Sequence, residues 1–274
     1  MKNITVNEIE KILDEALSDY IAGKIQNKNI IFVGHPGVGD SSKIENWFKK
    51  HSNEVSPYEL ISCPMAEEEN GVFKKLVKNG KVQYGFNDRS MEALTEEGRV
   101  CFCRRLNYNT QEQVQPFYEI FANRTYYLPL TDKEHDLSKL FLVIATAYPD
   151  NYDYRVTDIS EFEKCSNTYM VVPEVNEFKE YFREMCEKYM SHLEHAEAGE
   201  YKKQSEVFLK ILTSDDFHFI FEKDEIFSPM KFIKLFDDWC ETENENDVLS
   251  VVPQIGCAGK RTSEMFKRIF DKIK

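Results

Sequence analysis

Asn29-Ile30-Ile31-Phe32-Val33-Gly34-His35-Pro36-Gly37-Val38-Gly39-Asp40-Ser41 carries a short β-branched apolar run straight into a glycine-rich turn, and residues 42–50 continue as a helix. Strand, glycine-rich loop and helix form the setting that a phosphate-binding loop requires. The N–H groups at the start of such a helix have no partners within the helix and are available to an anion.

Upstream, residues 7–22 set Ile9, Ile12, Leu13, Ala16, Leu17 and Tyr20 at helical spacing behind Asn7, a candidate cap. The opening stretch MKNITVNEIEKILDEAL reads as an amphipathic helix with acidic residues, not as a signal peptide. Downstream, residues 58–62, 99–103, 140–147 and 169–172 predict four more strands, with helices over 90–97 and 111–122. Continuous apolar strands belong to a parallel sheet covered by helices on both faces, whereas half-exposed strands alternate. From about residue 174 the pattern is helical, with helices expected over 177–194, 200–212, 229–240 and 261–274 and a solvated acidic loop over 241–247. The expected organisation is an α/β core over residues 1–173, built on a parallel five-stranded sheet, and an α-helical lid over 174–274.

The 274 residues are 42% hydrophobic and 30% charged, an ordinary balance for a chain that buries a sizeable core. A formal net charge of -13 argues against a general nucleic-acid-binding surface, which phosphate repulsion would disfavour. The 7 cysteines contain no CxxC pair, so zinc-ribbon and thioredoxin-like sites are not expected. Cys101 and Cys103 share one face of a strand and read as buried thiols, consistent with a reducing cytoplasm. No apolar run reaches the roughly 18 residues of a membrane span. His192 and His195, beside Glu194 and Glu197, lack a third ligand and read as a solvated surface, so no metal site is expected. The aromatic runs at 126–128 and 217–221 read as core or subunit packing, not as base-stacking platforms.

Several segments in order resemble the MoxR-type AAA+ ATPases, over roughly residues 8–270. Gly34 to Ser41 matches the Walker A pattern GxxxxGK(S/T), except that Asp40 stands at the lysine. Residues 67–71 resemble the acidic, glycine-ended segment before a hairpin. Residues 94–108 resemble the Walker B run, with Arg104 and Arg105 in place of its two acidic residues. Residues 143–149 resemble the sensor-1 strand, with Tyr148 replacing the usual asparagine. Residues 163–169 lie where the family carries its finger arginine and contain none, while Gly259-Lys260-Arg261-Thr262 keeps the sensor-2 arginine. The resemblance implies a P-loop NTPase (AAA+) fold and a hexameric, chaperone-like assembly, often beside a partner with a von Willebrand A domain. It also implies ATP or ADP held by Gly34, His35, Pro36, Gly37, Val38, Gly39, Asp40, Ser41, Ser42 and Arg261.

Phosphoryl transfer in this class needs a lysine on the phosphates, carboxylates for Mg²⁺ and the attacking water, and an arginine for the transition state. Asp40 would face phosphate with like charge, and Arg104 and Arg105 would repel Mg²⁺, so neither the metal nor efficient hydrolysis is expected. The leading expectation is a catalytically degenerate structural or regulatory subunit of a homo- or hetero-oligomeric ring. An active remodelling ATPase, with a rearranged pocket or a site shared with an intact subunit, is the alternative. A sensor that binds ATP or ADP without turnover is another. The reversed signs also predict an ion pair between Asp40 and an arginine, Arg104 for preference, and Arg261 turned toward the nucleotide cleft.

Overall fold

The computed structural model describes residues 1–24, 28–61, 73–78, 81–86, 95, 99–128, 133–150, 156–172 and 174–213, together with 232, 233, 236, 237 and 240. The chain divides into two compact units, Met1–Gly34 with Asp40–Val172, and His35–Gly39 with Pro173–Lys274.

The first unit is built on a parallel sheet. In chain order its elements are β1 (Lys2–Ile4), α1 (Glu8–Ile21), β2 (Lys28–Val33), α2 (Asp40–Lys50), β3 (Ser56–Ile61), β4 (Phe73–Lys78) and β5 (Lys81–Phe86). Then come β6 (Arg99–Arg104), α3 (Gln111–Asn123), β7 (Thr125–Leu128), β8 (Lys133–Asp136), β9 (Leu142–Ala147), α4 (Ser160–Lys164) and β10 (Asn167–Val171). The sheet order is β1-β10-β2-β9-β6-β3, every neighbouring pair parallel. All five strands read from the sequence are present, and the glycine turn leaves a central strand directly for a helix. This is the parallel α/β core, with a glycine loop between a central strand and a helix, that the sequence predicts.

The apolar runs are buried on both faces, as their continuous pattern requires. All six residues of β9 are buried, and Ile30, Ile31, Phe32, Val100, Cys101 and Cys103 have no exposed surface. Cys101 and Cys103 lie with their sulfurs 3.7 Å apart inside this core, and the hydrogen bond with the Cys101 thiol, then burial, push Cys103 well above its ordinary pKa. Two antiparallel hairpins, β4–β5 and β7–β8, complete the unit. In β7, Tyr126 is buried and Tyr127 exposed.

Two expectations for the N-terminus are corrected. Residues Lys2–Ile4 form a sixth strand at the sheet edge instead of the start of a helix, paired Lys2 to Tyr169 and Ile4 to Val171. Three residues show no periodicity of their own, so the pairing with β10 makes the strand. Asn7 makes no side-chain capping bond; the Glu8 carboxylate instead accepts the Thr5 N–H at 2.8 Å.

The described helices of the second unit are α5 (Val175–Met190) and α6 (His195–Leu212). A capping box between Glu174 and Glu177 starts α5, and Phe178, Phe182, Phe208, Phe232 and Phe236 pack edge-to-face as its core. The break between helices falls at 191–194, not near 195–199 as the spacing suggests. His192 therefore lies in a turn and His195 begins the next helix, so the two do not share one helical face, and no set of three or more His, Cys, Asp or Glu side chains placed to hold a metal ion occurs among the described residues. The helix expected over 90–97, the aromatic run 217–221, the acidic loop 241–247 and Arg261 lie outside the described residues, save Thr95.

Candidate functional site

The glycine loop takes the backbone shape that its glycines permit. Gly37 has φ 84° and Gly39 φ 93°, left-handed values that side-chain-bearing residues rarely adopt. The Val38 N–H closes a turn on the His35 carbonyl at 3.2 Å. At Gly39 an added Cβ would stand 3.3 Å from the Tyr181 ring, a second reason for glycine at that position. Before the loop, the Gly34 N–H is held by the Ala147 carbonyl at 3.0 Å.

Asp40 is the first residue of α2. Its carboxylate accepts the Ser41 backbone N–H at 2.7 Å. An anion belongs at a helix N-terminus, and here the chain supplies its own. The residue keeps a partly exposed edge, yet burial raises its carboxyl from 3.8 to about 6. The Ser41 hydrogen bonds and the charges of Arg104 and Arg105 pull the other way and lose to burial. Ser41 is half-buried, Ser42 is exposed, and Lys43 turns toward Glu10 of α1 at 4.0 Å.

The expected Asp40–arginine ion pair is not formed: among the described residues, no ion pair joins Asp40 to Arg104 or Arg105. Arg104 closes on Glu45 of α2 and lies over the Phe102 ring at 5.2 Å. The reason is geometric. One strand, β9, separates β2 from β6, so two strand spacings put roughly 10 Å between their ends. α2 packs over β6, with Phe48 edge-on to Phe102 at 5.8 Å, and presents Glu45, three residues before Phe48 on the same helical face, to the end of that strand. Both arginines still act on Asp40 through their charge.

Arg105 is exposed and holds φ 52°, a left-handed value for a residue with a side chain. Its N–H donates to Thr146 Oγ1 at 3.0 Å, fastening the end of β6 to β9. Tyr148 is gripped through its backbone: its N–H donates to Asn107 Oδ1 at 2.8 Å, and its carbonyl accepts Asn107 Nδ2 at 2.7 Å. Asn107 has no exposed surface, and its own carbonyl receives the N–H groups of Val156 and Thr157. The Tyr148 ring meets the Tyr108 ring edge-on at 6.3 Å. Within the first unit the structure thus brings Asp40, Ser41, Arg104 and Arg105 to the carboxyl side of the sheet, joins to them Asn107 and Thr146 from the segments 94–108 and 143–149, and adds Glu45, which no motif marks.

These residues do not fit Mg²⁺. The ion takes oxygen ligands in near-octahedral order. Two guanidinium groups stand at the end of β6, and the Glu45 carboxylate is engaged by one of them. The anion role at the start of α2 is taken by Asp40 itself.

No protein-family profile matches the chain, and no characterised protein matches its sequence. Among solved structures, a mutant of Thermotoga maritima RuvB aligns at TM-score 0.45 and 15% identity, covering 91% of this chain and 70% of that one. The RuvB Holliday junction branch migration motor of the same organism aligns at TM-score 0.42 and 15% identity, covering 97% and 68%.

Proposed function

We propose that this chain is a MoxR-like AAA+ pseudo-ATPase, a structural or regulatory subunit of a chaperone-like ring that does not hydrolyse ATP in its own pocket. The observation that carries the reading is the closure of Arg104 on Glu45 beside an Asp40 carboxylate hydrogen-bonded to the Ser41 N–H. Hydrolysis in this class needs the opposite charges at both places. In this reading residues 1–173 act as the core, residues 174–274 as the lid, and the oligomer contains further copies, an intact ATPase subunit or a von Willebrand A domain protein. A cytoplasmic location fits the buried free thiols at 101 and 103.

A second reading, nucleotide binding without turnover, draws on the left-handed Gly37 and Gly39 and the retained Ser41. In it the loop still cradles the phosphates of ATP or ADP, without Mg²⁺. Equilibrium binding of ATP and ADP to the full chain, with and without Mg²⁺, separates the two, followed by a turnover assay. The pseudo-ATPase reading expects no measurable turnover in either condition. Turnover at about 1 s⁻¹ or faster, an ordinary enzyme rate, that is lost in Arg104→Ala overturns it.

A further inference from the structure

The helical unit contains a cavity of about 720 Å³ between α5, α6 and the residues Ile233, Asp237 and Cys240. Tyr189, Leu193, Tyr201 and Ile233 form its walls, and Glu197 and Glu200 stand on its rim together with Asp237. The Tyr189 and Tyr201 rings lie 4.9 Å apart, inclined at 40°, as one continuous aromatic surface. Tyr201 is hydrogen-bonded to the buried Cys186, which ties down its polar end and leaves the ring to the cavity. Among the described residues neither Glu197 nor Glu200 enters an ion pair, and the described lining contains no lysine, arginine or histidine.

An anion is repelled from such a cavity, and a neutral apolar ligand gains nothing from three carboxylates. A bare metal ion gains nothing from aromatic and aliphatic walls, and no set of three or more His, Cys, Asp or Glu side chains placed to hold one occurs among the described residues. The chemistry that matches both parts is a flexible organic cation whose methylene segments lie along apolar and aromatic surface while its ammonium groups meet carboxylates and ring faces. The volume suits a small ligand. We propose that this cavity binds an aliphatic polyamine.

The test is calorimetric titration of the full chain with spermidine at physiological ionic strength. Parallel titrations use Mg²⁺ at matched charge and a short lysine-rich peptide. Glu197 and Glu200 are exposed and Tyr189 is 53% exposed, so Glu197→Gln/Glu200→Gln and Tyr189→Ala should keep the fold, as far-UV circular dichroism checks. Saturable one-to-one spermidine binding is expected, weakened about tenfold or more in the double glutamine variant and severalfold in Tyr189→Ala. Three results overturn the proposal: no saturable heat with millimolar spermidine, affinity unchanged in the variants, or equal displacement by charge-matched Mg²⁺, which would mark a diffuse counterion effect. Binding of the lysine-rich peptide with none of spermidine overturns it as well and assigns the surface to a protein partner.

Discussion

Arg124 is a buried, left-handed residue, φ 55° and 5% exposed, just beyond the end of α3. Its guanidinium donates to the carbonyls of Ile120 at 2.8 Å, Lys28 at 3.0 Å and Leu140 at 3.1 Å, and to Asn29 Oδ1 at 2.7 Å. Asn29 in turn donates to the carbonyls of Phe121 and Cys165, both at 2.7 Å. One cation thus closes the last turn of α3 and the starts of β2 and β9, where the local dipole favours positive charge. Burial lowers Arg124 to about 10, which still leaves it charged at neutral pH. Arg124→Met removes all four donated bonds at nearly constant volume. Each orphaned acceptor costs about 1–3 kcal/mol, while relief of a desolvated charge returns several kcal/mol. The expected net loss is about 3–5 kcal/mol, a large share of the roughly 5–15 kcal/mol of a typical domain. Arg124→Lys keeps the charge without the fork and should lose about half as much, since one ammonium cannot meet all four acceptors. Urea unfolding of the full chain, followed by far-UV circular dichroism at constant m-value, measures both. If Arg124→Met lies within about 1 kcal/mol of the parent, or if its loss adds independently to that of Asn29→Ala, the knot does not couple these elements.

Asp40→Asn should stabilise the chain at neutral pH. The folded state holds the Asp40 proton up to about 6 whereas the ordinary carboxyl loses it near 3.8, so this group's contribution is most favourable below about 4 and falls as pH rises through 6. The gain on substitution is on the order of 2–3 kcal/mol above pH 6 and should vanish near pH 4, readable in melting curves across that range; a gain independent of pH refutes it. Arg104→Glu should set like charges against Glu45 and lose about 1 kcal/mol, with recovery in the swapped pair Arg104→Glu/Glu45→Arg. No recovery in a double-mutant cycle means that the pair is incidental. Asn107→Ala should cost about 2–4 kcal/mol by stranding the Tyr148 backbone N–H and carbonyl, and slowed Tyr148 amide exchange in the parent should be lost in the variant.

The core was legible in the sequence because its signals are local. Continuous apolar runs such as Asn29–Val33 and Leu140–Ala147 mark strands covered on both sides, and a glycine turn that leads into a helix needs only neighbours in sequence to be read. The charges at Asp40, Arg104 and Arg105 were equally visible as residue types. What those charges do was not. Arg104 finds Glu45 because α2 packs over β6, a contact that exists only after the sheet assembles. The Asn107 clasp joins residues 41 apart, and the Arg124–Asn29 bond joins residues 95 apart. Periodicity carries no information at such separations, since a buried polar side chain is positioned by whichever carbonyl the packed elements leave without a partner. The three residues of β1 likewise became a strand only when β10 offered an edge. Sequence alone therefore determined the central strands, the helix after the glycine loop and the charges that loop carries, and the tertiary structure chose the edge strand and the partners, because buried charge and unpaired backbone must be satisfied across elements that meet only in the folded chain.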